Sequence, residues 1–208
     1  MLKCSINQET MEIKLSEVFF TSDTHFYHKN IIEYCFRPYQ NTDEMNEALI
    51  ANWNDNVRPD DIVYHLGDFS FNKSKNKNFD LFSRLNGRKY LIVGNHDESS
   101  TLELPWFEKH NYLEVKIDKK MFILFHYPIV SWNKMNRDNT YHLYGHTHEL
   151  LDKNMTWTDH TNKYHNRAYH VGVDSNNYAP IHIDDVVKII DNRIQSDLYE
   201  TKKDEQEI

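Results

Sequence analysis

Five short runs of potential metal-ligating residues lie between residues 23 and 148: Asp23-Thr24-His25, Gly67-Asp68, Gly94-Asn95-His96-Asp97, Phe125-His126-Tyr127-Pro128 and Gly145-His146-Thr147-His148. One Asp-x-His pair, or one histidine in an apolar stretch, reads as structural; five ordered blocks read as a metal centre. Together they offer about seven nitrogen and oxygen donors and one further histidine. Imidazole, carboxylate and amide donors without a thiolate favour Mn, Fe, Co, Ni or Zn over Mg or Ca. Residues two apart in an extended segment point the same way, so Asp23 with His25, and His146 with His148, are each expected to present two donors to one side. The chain has 5 glycines, and Gly67, Gly94 and Gly145 each immediately precede a candidate ligand. A tight turn is expected there, bringing backbone close to an ion.

Such donors must be carried by elements that end where they begin. Each block follows an apolar run, and short apolar runs bounded by turn residues predict strands over 17–20, 62–66, 90–93, 112–117, 121–125, 141–144 and 168–173. Met45, Ala48, Leu49 and Trp53 recur at helical spacing behind a cap at Asn41 or Thr42. A shorter helix should carry Phe79, Phe82 and Leu85 and stop at Gly87, after a polar loop over 73–78. A last helix is expected over about 184–198, and the charged residues 199–208 read as a disordered tail. Strands and helices alternate early and strands crowd the second half, which points to an α/β fold with two sheets back to back in one domain over 1–198. Ligand sites in such sheets lie beyond strand ends.

With 208 residues and 39% hydrophobic content, the chain can bury one sizeable core. A formal net charge of −8 argues against gripping an extended nucleic-acid backbone, which needs many cations on phosphates. Cys4 and Cys35 form no disulfide framework or zinc finger and suit a reducing compartment. Neither a basic segment ahead of an apolar run nor a stretch of roughly 20 apolar residues occurs, so a soluble cytoplasmic protein is expected, with no membrane partner.

The ordered blocks resemble the signature of the calcineurin-like metallophosphoesterase family: Asp-x-His, Gly-Asp, Gly-Asn-His-(Asp/Glu), His and Gly-His-x-His. Val171-Gly172-Val173-Asp174 and the segment 180–190 also look like the usual ending of small bacterial and phage members. The resemblance implies a four-layer α/β/β/α sandwich of two mixed sheets flanked by helices. It further implies that Asp23, His25 and His148 hold one divalent ion, that Asn95, His126 and His146 hold a second, and that Asp68 bridges them. Two such ions, Mn²⁺ first among the candidates, would share a hydroxide as nucleophile about 3.5–4 Å apart. His96 is implied as general acid. Asp97 either orients and charges that imidazole or is a capping acid.

Other polar residues are less bound to a pattern. His28 and Arg37 could reach a substrate phosphate, the guanidinium bidentately. Tyr127 beside Pro128 reads as packing, His65 and His170 as satisfied strand residues, and His110, His142 and His182 match no block. The polar segment 149–167, with Trp157, His160 and His165, is either a lid that selects substrate or a solvated hairpin. Phe69-Ser70-Phe71-Asn72 after Asp68 lacks the Asp-Arg-Gly of protein serine/threonine phosphatases, and Phe71 stands where purple acid phosphatases place a metal-binding tyrosine. The expectation is a phosphodiesterase on a small, nucleotide-derived substrate. A phosphomonoesterase on a small metabolite is the alternative, and an inactive scaffold on the same fold the reading from another class.

Overall fold

The computed structural model describes residues 16–148 and 166–206. Strands β1 (Val18–Thr21), β2 (Ile62–His65), β3 (Arg88–Ile92) and β4 (Lys109–His110) run parallel, with β9 (Ile181–His182) antiparallel at the edge, in the order β4-β3-β2-β1-β9. A second sheet has the order β5-β6-β7-β8: β5 (Tyr112–Ile117) and β6 (Lys120–Phe125) form a hairpin, and β7 (Thr140–Tyr144) and β8 (Ala168–His170) follow in parallel.

Alternation along each strand builds two cores. Phe20, Tyr64, Leu66 and Ile92 face Phe122, Leu124, Tyr141 and Leu143 across the two sheets. The opposite face of the first sheet presents Phe19, Val63 and Leu91 to helices α1 (Lys29–Tyr34), α2 (Thr42–Asn56) and α3 (Lys75–Arg84), where Ile31, Met45, Leu49, Trp53, Leu81 and Phe82 are buried. A one-residue slip would turn either strand face to the wrong core, so the period-2 pattern sets the register. Outside the second sheet, Trp132 from the 126–139 connection packs on Ile123 and Ala168. The fold is thus α/β, with two mixed sheets and flanking helices.

Local chemistry explains several boundaries. The Asn41 side chain accepts from Glu44 N (2.9 Å) while Glu44 Oε2 accepts from Gln40 N (2.8 Å), a reciprocal cap that starts α2. Helix α3 starts behind a Ser74 cap, inside the stretch expected as loop, and turns Phe79 outward while burying Asn78. The Asn78 side chain hydrogen-bonds Ser70 Oγ, Asn72 O and Ser100 O, so ties to the 70–72 loop and to the segment at Ser100, rather than an apolar contact, decide that helix face. The short helix α4 (Ser99–Leu102) follows the third block. Strand β8 stops at His170, three residues earlier than expected, and a 3-10 turn spans Val173–Ser175.

Helix α5 (Ile183–Gln206) buries Ile183, Val186 and Ile190 in the core between the sheets. It continues through residues 199–206, expected as a disordered tail, because that segment contains Lys, Glu and Gln but no Gly or Pro to stop it. No described helix is long and apolar enough to cross a membrane. The expected lid at 149–167 lies almost wholly outside the described residues.

Candidate metal centre

All five blocks leave the carboxyl ends of parallel strands, and cross-links between loops gather them at one end of the two sheets. Asp23 N donates to Gly67 O, His25 N to Asp68 O, Gly145 N to His126 O and Val171 N to Tyr144 O. His146 N donates to both Asp23 carboxylate oxygens (3.1 and 3.0 Å), which ties the sheets together at the site.

Two groups of donors result. Asp23, His25 and His148 form one; Asp68, His126 and His146 form the other, with ligand atoms within 4.8 Å of one another in each. Asp68 Oδ2 lies 3.6 Å from His25 Nε2 and 3.4 Å from His126 Nε2, so one carboxylate oxygen stands between the groups. Asn95 Oδ1 lies 3.0 Å from both His126 Nε2 and His146 Nδ1. The expected pairing of His146 with His148 on one side does not occur, since the two rings serve different groups. Their backbones are not extended: Asp23, His25, Asp68, His146 and His148 all have left-handed φ, between 46° and 71°. Such conformations cost about 1–3 kcal/mol each in non-glycine residues and persist where surrounding contacts over-determine them.

The glycines make room for the ligand side chains. A Cβ at Gly94 would collide with the Asp68 carboxylate, and one at Gly145 with Ser22 and the Asp23 carboxylate. Only Gly67 among these three adopts a positive φ, at 96°.

The residues fit a pair of cations. Both nitrogens of the buried His25 ring have no hydrogen-bond partner, a costly state unless something else binds them. Burial pushes the His25 pKa well down, leaving the neutral form that ligates metal. Burial also raises Asp23 to about 6, against the pull of His148 and His126. Asp68, although burial works the other way, is held below the usual carboxylate range by His126 and His25. His126 Nδ1 donates to Leu66 O (2.7 Å), which directs Nε2 into the site. For His148, burial lowers the pKa, but Asp174 and Cys35 raise it to about 10.

A supporting layer lies behind the first group. His148 Nδ1 contacts Asp174 Oδ2 at 2.7 Å, and Asp174 takes a two-point contact from Arg37, Nε to Oδ1 at 2.7 Å and Nη2 to Oδ2 at 2.9 Å. Arg37 also donates to Thr24 O (2.9 Å) and Asp23 O (2.7 Å) and is only 3% exposed. This corrects the expectation that Arg37 reaches a substrate phosphate: its guanidinium is buried and committed to Asp174 and to the loop carrying Asp23 and His25. Cys35 joins His148 and Asp174 in a third cluster on the outer side of the His148 ring. His170, expected as a satisfied strand residue, has its buried Nε2 without a hydrogen-bond partner, 3.9 Å from Asp23 Oδ2. In the sequence it stands inside the run read as a strand over 168–173, and only the end of β8 at His170 brings it beside the site. Asp174 gave a motif but no role until the fold brought it to His148.

Asp97 does not contact the His96 ring. Its carboxylate accepts from Asp68 N (2.9 Å), Phe69 N (2.9 Å) and Gly94 N (2.8 Å), so it is a buried cap joining two ligand loops. His96 is exposed, with its backbone N donating to Asp68 Oδ1 (2.9 Å) and its ring 5.7 Å from that of His25. His28 lies at the edge of the site, flat against Phe71 at 3.8 Å. Burial and the neighbouring His96 and Arg37 charges lower its pKa, so it offers a neutral ring rather than a cation for phosphate. His142 bonds Ile123 O and Ile129 N within the second sheet, His110 pairs with Glu108, and His182 with Glu17.

His65 holds the first ligand loop from beneath. Its Nδ1 accepts from Gly67 N (3.2 Å), so Nε2 carries the proton donated to Thr24 Oγ1 (3.0 Å), whose hydroxyl donates to Phe69 O (2.8 Å). Burial lowers its pKa from 6.5 to about 3. Between those values the unfolded chain binds a proton that the folded chain refuses, so stability present above pH 6.5 is lost as pH falls towards 3. The expected slope is about 1.4 kcal/mol per pH unit below 6. His65→Gln can still donate to Thr24 and should lack this component. Urea midpoints at pH 7 and 5 that fall equally in both proteins would show that His65 is not its source.

Two mixed sheets with Asp, Asn and His gathered at their strand ends define a metallophosphoesterase-like fold. The model of the calcineurin-like phosphoesterase superfamily domain matches residues 17–173, and the chain belongs to that superfamily. An uncharacterized protein of Methanocaldococcus jannaschii is 37% identical over 185 residues, covering 86% of this chain and 94% of its own. The gene 66 protein of Mycobacterium phage L5 is 29% identical over 194 residues, covering 77% and 88%. The crystal structure of a protein of unknown function from Aquifex aeolicus is similar with a TM-score of 0.64 and 26% identity, over 84% of this chain and 100% of that one.

Proposed function

We propose that the protein is a dinuclear-metal phosphodiesterase acting on a small nucleotide-type diester. The observation that carries this reading is the single Asp68 oxygen set 3.6 Å from one group's histidine and 3.4 Å from the other's. Asp23, His25 and His148 would hold one ion, Asn95, His126 and His146 the second, and Asp68 both. The donor sets contain no thiolate, which keeps Mn²⁺ first and Fe, Co, Ni and Zn as alternatives. Bound there, the ions would offset phosphate charge and acidify water for in-line attack.

The chain's own residues supply the rest. His146 N and Ser22 Oγ hold the Asp23 carboxylate, and His96 N and the Asp97 cap hold the Asp68 loop, so the donors are set before substrate arrives. His96 is the exposed imidazole at the rim and is assigned to pass a proton to the departing alkoxide. An alkyl monoester would release the same alkoxide, so the two substrate classes are separated by direct comparison.

Metal-stripped protein should be inactive, and Mn²⁺ should restore turnover of bis(p-nitrophenyl) phosphate with a higher kcat/KM than for p-nitrophenyl phosphate. Equal or greater efficiency on the monoester would replace the diesterase reading with a phosphatase. Silence on both by metal-loaded protein would leave a binding role for the fold.

A further inference from the structure

Phe71 is 40% exposed beside a polar centre, yet its ring is held in place. His28 stacks on it at 3.8 Å with an interplanar angle of 10°, and the His96 ring lies 4.9 Å away. The same ring borders a cavity of about 360 Å³ lined also by Asn72, Lys73, His96, Glu98 and Ser100. That volume lies within the range of small-molecule sites, about 300–1,000 Å³. His96 is the group assigned to protonate the leaving oxygen, so the cavity it lines is on the leaving-group side.

From this juxtaposition we infer that the cavity is a leaving-group subsite for a nucleoside, with Phe71 as the stacking residue that sets specificity. The inference rests on the phosphodiesterase reading and names its substrate class. An exposed aromatic ring already immobilised by a neighbour loses little freedom when a second planar ring lands on it. The Asn72 side-chain NH2 and the Glu98 carboxylate can meet the polar edge of a nucleobase and the hydroxyls of its sugar, which a plain hydrocarbon ring would leave unmatched; Asn72 Oδ1 is taken by Ser74 N and the Ser100 hydroxyl donates to Asn72 O. In the step served, water forms the new P–O bond and gives up a proton to solvent, the bond to the nucleoside oxygen breaks, and that oxygen takes the proton from His96, which solvent then restores. The products are a nucleoside and a phosphomonoester.

The test joins a binding measurement that needs no turnover to a substrate comparison. Adenosine binding is measured by calorimetry on the Mn²⁺-loaded wild type, Phe71→Ala and Phe71→Trp. The kcat/KM ratio for adenylyl-adenosine over glycerophosphoethanolamine is then measured on the same proteins. Phe71→Ala should weaken adenosine binding about tenfold and lower the ratio by a similar factor, with Phe71→Trp restoring both. Adenosine binding indifferent to Phe71, or an equal loss on both diesters, would overturn the subsite while leaving the diesterase reading intact. Phe71-dependent adenosine binding without hydrolysis of either diester would keep the nucleoside site and remove the catalytic reading.

Discussion

Replacing His96 by alanine should lower kcat for an alkyl phosphodiester by about 10²–10⁴-fold while metal content stays at the wild-type level. The His96 ring belongs to neither donor group, and the contact it makes to Asp68 comes from its backbone nitrogen, which alanine keeps. Loss of the imidazole should therefore spare the donors and remove only the proton delivered to the leaving oxygen. A p-nitrophenolate departs with little need for a proton, so the penalty should shrink markedly on an aryl diester. That leaving-group dependence separates a general acid from a side chain that merely shapes the rim. An equal loss on alkyl and aryl diesters, or a drop in bound metal, would remove His96 from the role.

The second large effect is expected at a residue that touches no substrate. Arg37→Met leaves the buried Asp174 with His148 as its remaining charged partner and should destabilise the metal-free protein by about 3 kcal/mol, the low end for a broken buried ion pair. It also releases the carbonyls of Asp23 and Thr24 and frees the carboxylate that orients His148. Affinity for one of the two ions should fall about 10–100-fold, as for loss of a partner behind a metal-bound histidine. The double variant Arg37→Met with Asp174→Leu removes both charges and should recover much of the stability, because no unpaired ion is left inside. Metal affinity should stay low, since His148 still lacks its anchor. Thermal unfolding without metal, with metal stoichiometry measured separately, reads the two effects apart. Normal metal binding by the stable double variant would limit Arg37 and Asp174 to a structural role.

Much of the site was legible as a list. Every proposed donor falls on a loop after an apolar strand, and each such loop reaches the same end of the molecule. That inference works because parallel strands share the direction of their carboxyl ends, and apolar period and turn residues mark where strands stop. The core strands were legible for the same reason, as apolar runs at 17–20 and 62–66, while the structure sends Phe20 and Tyr64 to one core and Phe19 and Val63 to the other. Helix α3 was read less well, because Phe79 looks like a core residue by type whereas hydrogen bonds from Asn78 to the 70–72 loop and to α4 decide which side turns inward. The extra length of α5 was missed because charged composition was weighed above the helix-forming tendency of Lys, Glu and Gln.

The sequence by itself determined which residue types could bind divalent ions, their order, and a fold able to converge them, since these follow from donor chemistry and strand periodicity. Only the tertiary structure decided how they are shared. It sends His146 and His148 to different groups through left-handed turns, buries Arg37 against Asp174 instead of offering it to phosphate, and spends the Asp97 carboxylate on three backbone N–H groups instead of on His96. Those outcomes depend on hydrogen bonds between segments distant in sequence, 137 residues apart for Arg37 and Asp174 and 29 for Asp97 and Asp68, and no local pattern encodes which distant carbonyl or carboxylate will satisfy a buried donor.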